Sequence, residues 1–265
     1  MTGGTGGIGP WAERLAHELE EAVRRPLAGP GACGVAFSGG IDSSLVAYLA
    51  ARNGSAVTLY TVGLPGARDS ENSKPAAEAL GLRKRHQVIE LGGDEVLEAA
   101  ARIRTLVPGA TLLQVSFLAP AFIVFERAAE HTILTGDGAD ELFGGYHRYL
   151  SMDAAKLAAS LEHDAGELVF GGLSRNRRLA VSAKKELVAP YLDPRVVELA
   201  GSIPPHMKVL DRERKAVLRR AAALLGLPPE LCNIPKRAAQ YGSGFHAFLS
   251  KQSVDWQSQD QKHSP

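Results

Sequence analysis

The stretch Cys33-Gly-Val-Ala-Phe-Ser-Gly-Gly-Ile-Asp-Ser-Ser44 decides the fold of this 265-residue chain. Its first five residues have the apolar character of a buried strand, and the residues from Ser43 onward have the pattern of a helix. The glycines between them let the backbone approach an anion closely, and a helix N-terminus attracts negative charge. A strand, a glycine turn and a helix in this order predict a phosphate-binding loop.

The side chains of this loop indicate its chemistry. Ser38, Ser43 and Ser44 can donate hydroxyl hydrogen bonds to an anion. Asp42 would repel phosphate groups unless a cation lies between them, which points to Mg²⁺. The common GxxxxGK[ST] pattern is not found in the sequence, so this is a different kind of phosphate loop.

Outward from the loop, short strands alternate with helices over the first half of the chain. Further strands are predicted at 57–64, 85–91 and 132–135, the second of these at a sheet edge because it starts Arg-His-Gln. A long apolar helix is predicted over 112–130, either continuous or divided at Pro120. The alternation predicts an α/β fold whose parallel sheet carries helices on both faces.

The second half of the chain shows no further strand pattern after about Tyr149. Helices are predicted there at 154–161, 175–186, 194–202 and 212–225. We therefore expect four parts: a flexible glycine-rich leader at 1–9, an α/β nucleotide-binding domain at 10–150, a helical region at 151–250 and a disordered tail at 251–265.

Composition and charge exclude several classes of protein. Hydrophobic residues make up 45% and charged residues 22%, and the formal net charge is +1, so we expect neither a nucleic acid nor a membrane as partner. Cys33 and Cys232 form no CxxC pair, which argues against a disulfide scaffold and a paired-thiol site. We recognise no signal peptide or membrane-spanning stretch, so a soluble cytoplasmic protein is expected.

A glycine-rich stretch at the N-terminus, Thr2 to Gly9, matches the fingerprint of dinucleotide-binding dehydrogenases. That fingerprint functions only after a strand that points the turn at a pyrophosphate, and here only Met1 precedes it. A Tyr-x-x-x-Lys pair is also missing from the sequence. We therefore interpret the stretch as a leader.

A second chemical motif runs from Thr132 to Tyr149 and reads TILTGDGADELFGGYHRY. It carries three carboxylates within five residues, Asp137, Asp140 and Glu141. Apolar neighbours such as Leu142 would bury this loop, and buried carboxylates need a partner or a metal ion. The loop also follows a predicted strand, where α/β sheets place their ligands.

Both motifs resemble those of known families. The first resembles the SGGxDS loop of the PP-loop superfamily of adenine nucleotide alpha-hydrolase-like proteins, and the second closely resembles the asparagine synthetase signature. The resemblance covers about 35–244 and includes Pro190-Tyr-Leu-Asp193, Lys215 and the block from Pro235 to Gly244. It implies a parallel PP-loop layer followed by a helical region, and cleavage of ATP between its α and β phosphates.

The resemblance also implies a role for each matching residue. Lys236 corresponds to a lysine that neutralises the α-phosphate and the departing pyrophosphate. Asp137 lies where relatives carry a carboxylate near the reacting carboxyl group. Asp42 and Asp140 would hold Mg²⁺. The positions implied to bind ATP and pyrophosphate are Ala36, Ser38, Gly39, Gly40, Asp42, Ser43, Val62, Thr135 and Gly136.

Two departures from the family pattern bear on the substrates. The α/β region follows Met1 almost at once, so we expect the N-terminal glutaminase domain of full-length relatives to be absent, with free ammonia or a separate glutaminase protein as the nitrogen source. Val188 stands where relatives usually carry an arginine, two residues before Pro190. The resemblance implies the β-carboxylate of aspartate as the acceptor, and the departure at Val188 leaves a different carboxylate open.

The implied activity is an ATP-dependent amide synthetase that makes asparagine and AMP and acts as a carbon–nitrogen ligase. Three alternatives stay open. One is ring closure by an intramolecular amine, as in β-lactam synthetase-like relatives. Another is a nucleotide-binding subunit without chemistry, and a third, disfavoured by the charge balance, is tRNA modification. A homo-oligomer is compatible with the sequence.

Overall fold

The computed structural model describes residues 7–27, 31–234 and 242–252. Its main sheet has five parallel strands in the order β3-β2-β1-β4-β5, and helices lie on both faces. This confirms the predicted α/β fold, and β3 lies at an edge as predicted. The five strands are β1 Ala32–Ala36, β2 Ala56–Gly63, β3 His86–Glu90, β4 Thr132–Leu134 and β5 Glu186–Val188.

The strand order creates a switch point beside β1. The chain runs outward from β1 to β2 and β3, then returns to the other side of β1 for β4 and β5. Val35 pairs in register with both Leu59 of β2 and Leu134 of β4. Because ligands of open α/β sheets bind at the carboxyl ends of the strands where the order reverses, the crevice between β1 and β4 is the expected site. Both sequence motifs follow these two strands.

Helices of very different lengths surround the sheet. They are α1 Ile8–Arg24, α2 Ile41–Arg52, α3 Arg68–Ala79, α4 Gly93–Leu106, α5 Leu112–Arg127, α6 Ala139–Phe143, α7 Ala154–Glu167, α8 Leu173–Ser182, α9 Pro194–Ser202, α10 Pro205–Lys208, α11 Ala216–Leu225, α12 Pro229–Cys232 and α13 Phe245–Leu249.

The core has one apolar layer on each face of the sheet. Val35 and Leu59 pack toward α1, α2, α9 and α11, whereas Tyr60 and Ile133 pack toward α4, α5, α8 and α13. Cys33 lies in the first layer at 1% exposure, as predicted for a core residue. Burial raises the pKa of its thiol to about 11, so the thiol stays protonated at neutral pH.

Helix α5 is continuous through Pro120, which settles the alternative left open by the sequence. Its start is secured by a capping box, because Thr111 Oγ1 accepts from Gln114 N at 3.3 Å and Gln114 Oε1 accepts from Thr111 N at 3.0 Å. Burial of apolar side chains adds to its stability, since Phe122 and Phe125 are fully buried.

The expectation that strands stop after Tyr149 was wrong. The helix predicted over 175–186 ends at Ser182, Lys184 adopts a positive φ of 58°, and Glu186–Val188 then pairs with Thr132–Leu134. A strand of three residues is too short for the alternation of apolar and polar side chains to be recognised in the sequence. Only its pairing with β4 reveals it. The C-terminal region therefore contributes the last strand of the sheet.

The predicted start of the helix at Arg212 was also wrong. Residues Val209–Leu210 (β6) and Glu213–Arg214 (β7) form a small antiparallel hairpin, and α11 begins only at Ala216. Asp211, Arg212 and Lys215 all have positive φ values, which an α-helix does not allow.

The predicted leader and tail lie largely outside the described residues. In the part of the chain that the structure describes, each helix is too short or too polar to cross a membrane.

Candidate active site

The loop after β1 is held in shape by its own serines. Ser38 N donates to Ser43 Oγ at 3.2 Å, and Ser43 Oγ donates to the carbonyl of Gly40 at 3.3 Å. Gly39 has a φ of +75°, and a Cβ atom there would lie 2.7 Å from the carbonyl oxygen of Asn72, so the position requires glycine. Gly40 caps α2 without a side chain, which leaves the first N–H groups of the helix open to an anion.

The ends of three strands meet around this loop. Ala36 is the last residue of β1 and Val62 the last but one of β2, and both belong to the apolar layer on the α5 side of the sheet. Gly136 follows β4 and lies against α2, since a Cβ atom there would be 3.2 Å from Asp42 Cβ and 3.3 Å from Ser43 N. The structure thus brings together the residues that the sequence assigned to ATP.

The centre of the crevice is a buried group of three charges. The ammonium of Lys215 donates to both oxygens of Asp42 at 2.6 Å and forms an ion pair with Asp140 Oδ1 at 2.7 Å. The side chain of Lys215 is 0% exposed, whereas those of Asp42 and Asp140 are 13% and 17% exposed. The two carboxylates therefore share one cation, and each keeps a small exposed surface.

The surrounding backbone is arranged for this contact. Lys215 precedes α11 with φ 61°, a left-handed conformation that is unfavourable for a residue other than glycine. Gly145 lies so close that a Cβ atom there would overlap Asp140 Oδ1 and Lys215 Cε. A buried lysine, a strained backbone and an obligatory glycine at one place are typical of a functional site.

Asp137 lies beside this group, in the loop after β4. Its Oδ2 accepts hydrogen bonds from Thr135 Oγ1 at 2.9 Å and from Asn176 Nδ2 at 2.7 Å. Burial raises the pKa of the Asp137 carboxyl group, and the two hydrogen bonds oppose that shift. Thr135, which the sequence assigned to ATP, contacts Asp137 through its hydroxyl group.

The third carboxylate of the motif, Glu141, has a separate partner. It accepts a hydrogen bond from the hydroxyl of Tyr146 at 2.5 Å. Burial raises the pKa of Glu141, and the nearby charges of Asp140 and Asp137 raise it further. The apolar neighbours Leu142 and Phe143 are buried, and the three carboxylates of the loop are half-buried, so the predicted burial of the loop is partial.

Two residues from the C-terminal half form hydrogen bonds with the backbone around the site. The buried hydroxyl of Tyr191 donates to the carbonyl of Asp42 at 3.1 Å. Arg219 lies on the first turn of α11, four residues after Lys215. Its guanidinium donates to the carbonyls of Arg214 and Ile234 at 3.0 Å each. Its guanidinium therefore anchors the chain just before residue 235.

The predicted catalytic lysine, Lys236, lies outside the described residues, within 235–241. Three residues around the site received no role from the sequence: Lys215, Tyr191 and Asn176. Lys215 and Tyr191 occur in the segments that carried the family resemblance, which was a usable signal. Asn176 occurs in none of them, and only the structure shows its contact with Asp137.

Comparison with known proteins identifies the family. The sequence model of the asparagine synthase family matches residues 14–161 and 151–264. The chain belongs to the asparagine synthase family. This confirms the resemblance that the two loops indicated.

The curated relatives of this chain carry names that state different reactions. One relative is named as a glutamine-hydrolyzing asparagine synthetase of Methanocaldococcus jannaschii, with 30% identity over 90% of this chain and 51% of the relative. Another is the carboxyethyl-arginine beta-lactam-synthase of Streptomyces clavuligerus, with 32% identity over 89% of this chain and 45% of the relative. This asparagine synthase family chain thus spans about half the length of these relatives.

Among solved structures, the NMN synthetase of Francisella tularensis matches 78% of this chain and 96% of its own chain, with 13% identity and a TM-score of 0.36.

Proposed function

We propose that this chain is an ATP-dependent amide synthetase, which adenylates a carboxylate and then transfers its acyl group to ammonia. The observation that carries the proposal is the buried group of Asp42, Asp140 and Lys215 at the switch point. It lies between a glycine loop suited to pyrophosphate and a carboxylate, Asp137, suited to accept a proton.

The residues of the crevice fit a magnesium ion that is shared with the nucleotide. Among the described residues there is no group of three or more metal-ligating side chains, so a closed protein site is not formed. Asp42 and Asp140 supply two converging carboxylates, and Mg²⁺ is commonly held by one or two carboxylates together with phosphate oxygens. When bound, the ion would neutralise charge on the phosphates.

In the first step, an oxygen of the acceptor carboxylate attacks the α-phosphorus of ATP, and the bond from that phosphorus to the bridging oxygen breaks. The departing pyrophosphate would be held by the hydroxyl groups of Ser38 and Ser43 and by the N–H groups at Gly39 and Gly40. The family resemblance implies that Lys236 would neutralise the same phosphates. The product of this step is an acyl-adenylate.

In the second step, the nitrogen of ammonia attacks the acyl carbon, and the bond from that carbon to the AMP oxygen breaks. The attacking nitrogen loses one proton as the amide forms. Asp137 would take it, because this half-buried carboxylate makes hydrogen bonds through Oδ2 only, within the described residues. The products are the amide, AMP and the protonated base.

Aspartate is the acceptor that we propose, with asparagine as product. A second acceptor is favoured by one observation. Val188, which replaces the usual arginine, is half-buried at the end of β5, and its carbonyl accepts from Thr135 N at 3.0 Å. An apolar residue in place of an arginine suits a less charged substrate, including one that carries its own amine, as in ring closure.

The test is pyrophosphate release from Mg·ATP with aspartate, with and without ammonium, followed by analysis of the amino acid product. Asp42→Asn is expected to lower turnover by about 10²–10³-fold, because it removes one of the two carboxylates that would hold Mg²⁺ at the phosphates. Asp153→Asn is the matched control, since Asp153 is an exposed cap of α7 and asparagine also caps helices.

The outcomes separate the candidates. Asparagine in the ammonium reaction supports the proposal, and glutamine in place of ammonium tests whether a glutaminase partner must supply the nitrogen. Amide formed without ammonium from an amine-bearing acid supports ring closure. Wild-type pyrophosphate release by Asp42→Asn would contradict the assigned site.

A further inference from the structure

The two oxygens of the Asp137 carboxylate have different surroundings. Oδ2 receives both hydrogen bonds, from Thr135 Oγ1 at 2.9 Å and from Asn176 Nδ2 at 2.7 Å. Within the described residues, Oδ1 receives none. Two donors on one oxygen fix the rotation of the carboxylate, and the other oxygen remains for a ligand in the crevice.

The two donors come from opposite sides. Thr135 follows β4, is 3% exposed, and is held in place because its N–H donates to the carbonyl of Val188. Asn176 lies on α8, in the region that follows the acidic loop by more than thirty residues. The carboxylate is therefore clamped between the sheet and the helical region.

Asn176 is not arranged for stability alone. Its Oδ1 atom is buried and has no hydrogen-bond partner among the described residues. Burying an amide oxygen without a partner is unfavourable, and an apolar side chain of the same shape would avoid it. What the asparagine provides in return is the hydrogen bond from Nδ2 to Asp137.

We propose that Asn176 is a positioning residue, which together with Thr135 holds Oδ2 of Asp137 so that Oδ1 faces the attacking amine. The proposal rests on the proposed amide synthesis, because it assigns Asp137 to the second step. Asn176 acts through Asp137 and has no part in adenylation. Removing it therefore affects one half-reaction and leaves the other intact.

The experiment compares Asn176→Leu, which keeps the size but loses the donor, with Asn176→Gln, which keeps the donor on a longer side chain. Both are made in the full chain. Adenylation is measured as exchange of labelled pyrophosphate into ATP with aspartate, and amination as amide formed at saturating ammonium. Asn176→Leu is expected to lower amide formation by about 10–100-fold and to leave the exchange unchanged.

Three further variants sharpen the result. Asn176→Gln is expected to recover part of the amide formation. The double variant Thr135→Val, Asn176→Leu is expected to show a smaller fold-loss of amide formation than the product of the fold-losses in the two single variants, because both donors act on one oxygen. Arg177→Ala is the control, since Arg177 is the exposed neighbour on α8. It should leave both half-reactions unchanged.

An equal fall in exchange and amide formation in Asn176→Leu would show a merely structural role and overturn the proposal. A wild-type chain without pyrophosphate exchange for any carboxylate would instead contradict the proposed function. Crystal structures of the wild type and Asn176→Leu decide the positioning role independently of activity. A carboxylate of Asp137 rotated away from Thr135 supports it, and an unchanged orientation overturns it.

Discussion

Replacing Lys215 by methionine tests how the centre of the site is held together. Methionine keeps the length and volume of the side chain but removes the ammonium that binds Asp42 at 2.6 Å and Asp140 at 2.7 Å. Two carboxylates within reach of one cation then repel each other in a place that water reaches poorly. We expect the variant to fold with reduced stability.

The magnitude follows from the burial of the three groups. Removing one partner of a buried ion pair reduces the free energy of unfolding by about 3–5 kcal/mol. The lower limit applies here, because the side chains of Asp42 and Asp140 are 13% and 17% exposed and water screens part of the repulsion. A loss of about 3 kcal/mol in a chain of this size lowers the melting temperature by about 6–12 °C.

The assay is thermal and urea denaturation followed by circular dichroism. Lys156→Met is the matched control, because Lys156 pairs with Asp153 at 3.8 Å and both side chains are more than half exposed. Its effect should stay below about 1 kcal/mol. Adding Asp42→Asn to Lys215→Met should restore part of the lost stability, since it removes one of the two repelling charges. A Lys215→Met variant as stable as the wild type would refute the reasoning.

Three more predictions concern separate parts of the chain. Gly39→Ala is expected to abolish pyrophosphate release, because φ is +75° and a Cβ atom would lie 2.7 Å from the Asn72 carbonyl; release at the wild-type rate would contradict the glycine requirement. The rate of amide formation, corrected for the fraction of unprotonated ammonia, is expected to fall on acidification at a pH above the usual pKa range of aspartate. Burial raises the pKa of Asp137, and only the ionised carboxylate accepts a proton. Pyrophosphate exchange should not show this fall. Cys33 is expected to resist alkylation at pH 8 in the folded chain and to react after unfolding, because its thiol pKa is raised to about 11.

Much of the fold was predictable because its signals are local. The strand at Cys33 and the loop through Ser43 each show their pattern within a few residues, and strands separated by helices imply a parallel sheet. The strand Glu186–Val188 was missed because three residues carry too little pattern, and its place in the sheet depends on pairing with β4. The hairpin before α11 was missed because its turn depends on positive φ values at charged residues.

The candidate site was predictable to the extent that it lies on the two loops. Asp42 and Asp140 were assigned to one ion from the sequence, and the structure places both on the ammonium of Lys215. The contact between Asn176 and Asp137 joins residues 39 positions apart, and no spacing rule connects them. Long-range contacts of this kind follow from the packing of α8 against the sheet, which local patterns do not specify.

The interactions that the sequence did not reveal have one physical property in common. Lys215 has a buried charge and an unfavourable φ, and Asn176 has a buried oxygen without a partner among the described residues. Burying these polar groups costs free energy of desolvation, and the usual rules of composition and burial predict apolar residues at both positions. Both residues contact carboxylates of the two sequence motifs that follow β1 and β4. Stability is therefore reduced where the sheet offers its ligand site, as expected if these residues are retained for the reaction.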